Sequence, residues 1–160
     1  MLIPLKVRQV VLDQSLSPVV LLVDGEEKRV LPIWIGPFEA QAIAMALEGI
    51  MTPRPMTHDL LRNVCENLEA KVERIVVSDL RDGTYYAEIF FVRSDGREVV
   101  VDSRPSDAIA LALRCGAELY MTDKVASYAL SVEELMKAQQ EAESASGKVI
   151  NLEDYKKTLH

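Results

Sequence analysis

Three observations predict an α+β domain. Short β-branched runs are separated by Asp-Gly turns, alanine-rich helical runs follow them, and the same order of elements returns half-way along the chain. The expected architecture is a pair of duplicated strand-strand-strand-helix units forming a mainly antiparallel sheet with helices packed on it. Val7 to Leu12 and Val19 to Val23 read as strands, separated by Gln14-Ser15-Leu16-Ser17-Pro18. Asp24-Gly25 turns the chain into a third strand near Arg29 to Ile35. A helix follows from about Pro37 to Glu48, and an inserted helix is expected over about Thr57 to Leu68. Strands near Val72 to Leu80, Thr84 to Val92 and Glu98 to Asp102, turning at Asp82-Gly83 and Asp95-Gly96, lead to a helix from about Pro105 to Cys115. Gly116 stops it.

After a short strand at Leu119 to Met121 comes Ser131-Val132-Glu133-Glu134, a capping box that opens a helix reaching about Glu143. Ser144-Ala145-Ser146-Gly147 reads as a flexible break, after which Val149, Ile150, Leu152 and Tyr155 can dock a last short element. Residues 1–130 thus make the main domain, and residues 131–160 a C-terminal helix and flexible tail.

The recurrence is visible in residues. Arg8-x-Val10-Val11-x-Asp13 matches Arg74-x-Val76-Val77-x-Asp79, and Ala42-Ile43-Ala44 matches Ala108-Ile109-Ala110, both at an offset of 66. Duplication makes Val10 equivalent to Val76 and Ile43 to Ile109. Chance matching of alanine-rich helices is the rival explanation, and the agreement of the strands counts against it. Alanine on nearly every face lets backbones approach, so the two helices are expected to pack on the sheet or on each other.

Composition narrows the function. The chain has 160 residues, 49% of them hydrophobic, enough for one packed core. No stretch approaches the ~20 apolar residues of a membrane helix, and Lys6 and Arg8 interrupt the apolar start before a signal-peptide core could form. A cytoplasmic protein with no membrane association is expected. Cys65 and Cys115 read as reduced core thiols. The net charge of −7 is the wrong sign for gripping nucleic acid by phosphate neutralisation. A phosphodiesterase is still compatible with it, because such an enzyme needs local carboxylates and only a few arginines. Trp34 is expected to pack, and Tyr85, Tyr86, Phe90 and Phe91 do not interleave with basic residues as a nucleic-acid platform would. There is no Gly-rich phosphate loop, zinc signature or dinucleotide fingerprint.

Chemistry concentrates in two segments, Arg54-Pro55-Met56-Thr57-His58-Asp59 and Asp102-Ser103-Arg104-Pro105-Ser106-Asp107. Each sets an arginine before a helix start, where the macrodipole disfavours a cation, so an anion is expected beside each and one shared site is predicted. Arg54 and Arg104 can clamp phosphate at helix N-termini, or each can pair with Asp59, Asp102 or Asp107 and pin one unit to the other. Those three carboxylates, with Glu39 as a fourth, suit Mg²⁺ or Mn²⁺. Equally, acids are favoured in the first turn of any helix. His58 can serve as general base or acid, or simply as a hydrogen-bond donor. Thr57 and Ser106 are expected to cap backbone N–H groups rather than act as nucleophiles.

Together with Pro32-Ile33-Trp34-Ile35-Gly36 and Glu39-Ala40-Gln41-Ala42-Ile43-Ala44, the two Arg-Pro segments resemble the bifunctional nuclease domain family over roughly residues 1–130. The resemblance implies a metal-assisted nuclease acting on DNA and RNA. Arg54 and Arg104 would hold substrate phosphate. Asp59, Asp102 and Asp107 would bind Mg²⁺ or Mn²⁺ or activate water, and His58 would shuttle protons, giving His58, Asp59 and Asp107 as the catalytic set. The competing class is a non-enzymatic interaction module, a homo-oligomer in which the same residues form a structural ion-pair network.

Overall fold

Strand β2 (Pro18–Asp24) is buried throughout Val19–Val23 because it is covered on both faces. Val20 and Leu22 point into the larger of two apolar cores, Val19 and Leu21 into the smaller one opposite. A strand so placed reads as a continuous apolar run rather than an alternation. It pairs antiparallel with β1 (Leu2–Asp13) and β3 (Arg29–Trp34), and this meander leads into helix α1 (Pro37–Leu47). The computed structural model describes residues 1–141 and 149–159.

After α2 (Thr57–Asn67), a second antiparallel meander of β4 (Ala70–Arg81), β5 (Thr84–Arg93) and β6 (Glu98–Ser103) leads into α3 (Pro105–Cys115). The two meanders meet at β7 (Glu118–Thr122), which runs parallel to β4 and antiparallel to β1. The open, mostly antiparallel sheet has the order β6-β5-β4-β7-β1-β2-β3 and then Leu130–Ser131 as β8, with β9 (Val149–Ile150) added parallel to the end of β1. β8 (Leu130–Ser131) and α4 (Asp123–Ala126) are short pieces that sequence reasoning does not reach.

Element order is the same in the two meanders, but one offset does not describe both. The helices begin at Pro37 and Pro105, and the strands bulge at Val7/Gln9 and Val72/Arg74. Counted from the first helical residue, Ile43 corresponds to Leu111 rather than Ile109. The shorter turn between β4 and β5, Asp82-Gly83 against Gln14–Ser17, lowers the offset, and the longer β5, ten residues against seven in β2, raises it again.

Helix α3 is the centre of the helical layer. Ala108 to Ala112 are wholly buried, with α1 and α2 both packed on the helix and β4, β5 and β7 beneath it. Alanine permits that close approach, and Gly116 ends the helix in the left-handed region at φ 64°. On the opposite face, Leu135 and Ala138 of α5 (Val132–Glu141) cover β2 and β3 with Ile150 and Leu152. The expected capping box is present: Ser131 Oγ accepts the Glu134 N–H at 3.1 Å, and Glu134 Oε2 accepts the Ser131 N–H at 2.7 Å. α6 (Glu153–Thr158) brings Tyr155 onto Trp34, whose indole N–H donates to Asp13 Oδ2 at 3.0 Å. The predicted break at Ser144–Gly147 lies outside the described residues.

Cys65 and Cys115 are free, half-buried thiols whose pKa values burial pushes up, away from the reactive thiolate. Among the described residues, no helix is long and apolar enough to cross a membrane.

Candidate active site between three helices

Pro105 fixes the first turn of α3, so Arg104 is its N-cap and Asp107 lies in the first turn. Glu39 holds the corresponding place in α1. Because the two helices pack together, the Arg104 guanidinium reaches both acids. Its Nη2 lies 2.8 Å from Asp107 Oδ2, and its Nη1 donates to Glu39 Oε1 at 3.0 Å. The side chain is nonetheless 65% exposed. Gly36, the N-cap of α1, makes this possible: a Cβ there would stand 2.6 Å from Glu39 Oε2, in the space the carboxylate folds back into.

The other oxygen of Asp107 belongs to His58, with Oδ1 and Nε2 separated by 2.9 Å. His58 is buried in the first turn of α2. Burial pushes the Asp107 carboxyl upward, but the hydrogen bonds from His58 and Arg104 outweigh it and leave the pKa below the usual carboxylate value. These groups border a cavity of about 330 Å³ whose other walls include Phe38, Met45 and Met56.

Asp59 belongs to a separate, more enclosed arrangement around Arg114, a residue that sequence reasoning did not single out. Arg114 is only 8% exposed. It donates to Asp59 Oδ1 at 2.8 Å, to the Ala110 carbonyl at 2.8 Å and to the Ala42 carbonyl at 2.9 Å, tying all three helices together. Asp59 Oδ2 accepts the Met56 N–H at 2.9 Å, which with Arg114 holds the carboxyl below its ordinary value against the effect of burial. The available signal was positional. Arg114 is two helical turns from Asp107 on a helix otherwise apolar after its first turn, so it occupies the same face.

Two expected members lie elsewhere. Pro55 precedes α2 rather than opening it, since the N-cap is Met56 and the first helical residue Thr57. Arg54 therefore sits outside the first turn, and among the described residues its guanidinium takes part in no ion pair. Asp102 pairs across strands with Glu88, while its neighbours Val101 and Ser103 pair with Ile89 and Ala87 of the helix-side core. Side chains alternate along a strand, so Asp102 faces away from the helices. Thr57 and Ser106 make no cap hydrogen bonds: the Asp59 carboxylate serves α2, and Ser106 is buried at the start of α3.

This placement decides how well a hard cation fits. Asp59 and Asp107 are each bonded to an arginine, Asp102 faces the other way, and among the described residues no three His, Cys, Asp or Glu side chains converge to hold a metal. The trio Asp59, Asp102 and Asp107 does not fit a preassembled Mg²⁺ or Mn²⁺ site.

Comparison with known proteins adds lineage to this geometry. Residues 19–134 match the model of the bifunctional nuclease domain. An uncharacterized protein of Mycobacterium tuberculosis is 42% identical over 113 residues, covering 71% of this chain and 66% of the relative. Bifunctional nuclease 1 of Oryza sativa subsp. indica is 24% identical over 110 residues, covering 68% and 33%, and Bifunctional nuclease 2 of Arabidopsis thaliana is 25% identical over 101 residues, covering 62% and 31%. The chain therefore spans about two thirds of the mycobacterial relative and one third of the plant proteins. The matched segment runs from β2 into α5 and contains both Arg-Pro segments and every residue of the two clusters, and on that match the chain belongs to the bifunctional nuclease domain family.

Proposed function

We propose that this chain is a nuclease that hydrolyses phosphodiester bonds in DNA and RNA, working in the cytoplasm at the cavity between α1, α2 and α3. The observation that carries this reading is the hydrogen-bonded series His58–Asp107–Arg104 along the cavity. Asp107 orients the imidazole by accepting at Nε2, which leaves Nδ1 as the nitrogen that can take a proton from water or return one to the leaving oxygen. Arg104, exposed and held by acids on two helices, is the donor that can turn to phosphate oxygens. Asp59 is assigned to positioning, because both its oxygens are already used by Arg114 and Met56. Arg54 and Asp102 fall outside the proposed machinery. The plant relatives named bifunctional nucleases support the substrate class.

A second reading has its own observation: Glu39, Asp59 and Asp107 each already accept from an arginine, as a structural network would require. Purified protein incubated with single-stranded DNA and with RNA, in Mg²⁺, in Mn²⁺ and in chelator, separates the two. Cleavage that disappears in His58→Ala with the fold intact supports the nuclease. Failure of the wild type to cut either polymer under all three conditions leaves the non-enzymatic interaction module. Cleavage in chelator would make the metal dispensable, in keeping with the poor fit of the three aspartates.

A further inference from the structure

Helix α2 is amphipathic with its apolar side turned outward. His58, Arg62 and Cys65 face the protein, whereas Leu60, Leu61, Val64 and Leu68, spaced as neighbours on one helical face, face solvent. Leu68 is 75% exposed and Leu60 56%. The stripe continues to Met56 at the N-cap of the helix, itself 46% exposed. The α1–α2 connection itself packs beside Asp59, Arg62 and Asn63, on the side of α2 away from the stripe. Met56, Leu60, Leu61, Val64 and Leu68 are each between 38% and 75% exposed and form one apolar patch, the kind of contiguous surface that marks an interaction site.

We propose that this stripe is the contact between two copies of the chain, packed α2 against α2 in antiparallel sense about a two-fold axis. Charge selects the occupant and the sense. Arg54 lies just before α2 and Glu69 just after it, and neither forms an ion pair among the described residues. Antiparallel packing centred on the stripe brings Arg54 of each copy to Glu69 of the other, and it opposes the helix dipoles. A two-fold contact requires a self-complementary surface, and a stripe with a neutral middle and opposite ends supplies one.

Sedimentation equilibrium of the full chain at micromolar concentrations tests this, beside circular dichroism and thermal unfolding of each variant. The wild type is expected at twice the chain mass of 17.9 kDa. Leu60→Glu with Val64→Glu is expected at the monomer mass with its helical signal retained. Should that variant lose its fold, the charge pair decides. Arg54→Glu and Glu69→Arg should each weaken the dimer about tenfold or more, about 1.4 kcal/mol, and the double swap should restore it. A wild type that is monomeric throughout overturns the proposal, as does a dimer unmoved by the α2 changes or single swaps that are not rescued by their combination.

Discussion

Nε2 of His58 and Oδ1 of Asp107 stand 2.9 Å apart across 49 positions of chain. The contact joins the first turn of the inserted helix to the first turn of the helix that closes the second meander. It is the step at which two ordinary helix starts become one composite arrangement. His58→Ala should lower phosphodiester cleavage by about 10²–10⁴-fold, the usual worth of a general acid–base group. Gel assays on single-stranded DNA and RNA read the loss, and unchanged circular dichroism shows that chemistry rather than folding was removed.

Asp107→Asn should show a pH signature. The folded carboxyl has a pKa below its unfolded value of about 3.9, so its stabilising contribution is present above that value and fades as pH falls through the lower folded pKa. Denaturant titrations should find the variant less stable than the wild type near neutrality and nearly equal to it in strong acid. A difference that persists unchanged at the lowest pH would mean that ionisation of Asp107 is not what supports the contact.

Arg114→Met should be the most damaging single change among these charged residues. It strands Asp59 and two helix carbonyls around an enclosed space, and removing one partner of a buried pair costs about 3–5 kcal/mol. Arg114→Lys should recover only part of this, because an ammonium lacks the planar fork that reaches Asp59, Ala110 and Ala42 together. Urea midpoints of the three proteins check the order.

Gly36→Ala should act at a distance. The added methyl displaces the Glu39 carboxylate and releases one of the two acids holding Arg104. Fluorescence anisotropy with a short single-stranded oligonucleotide should show tighter binding, by a few-fold to about tenfold, about 1.4 kcal/mol. Glu39→Gln should move affinity the same way. Weaker binding in both would mean that Glu39 positions Arg104 for phosphate rather than restraining it.

Asp102→Asn should leave both cleavage and stability near wild type, within about 0.5 kcal/mol, as expected for a surface carboxylate with no ion-pair partner among the described residues. Loss of cleavage in this variant would place substrate or metal on the outer face of the sheet, against the assignment made from strand alternation.

Local patterns made most of the elements readable in advance. Asp-Gly turns, the Ser131–Glu134 box, Gly116 and the apolar run of β2 each carry their physics within a few residues. What the sequence hid depends on pairing between distant segments. The side on which Asp102 falls is set by its register with Glu88, and Pro55 looks like Pro105 until the chain shows which of them enters a helix. Arg114 carries no local signal beyond its place at the end of an apolar helix, and only its contacts to Asp59 and the Ala42 carbonyl reveal a fastening between three helices. Trp34 was legible as packed because it sits in an apolar strand, although its Asp13 partner was not.

The central place of β7 also sets an order of assembly. Each meander can pair its own strands as soon as they are made, but the strand that fuses them ends at Thr122, late in the chain. Until it emerges, β1 and β4 each offer a long open edge to any other strand nearby, the situation in which nascent chains mispair. A chain lacking the residues from Glu118 onward would therefore hold two paired ribbons without the strand that joins them into one sheet.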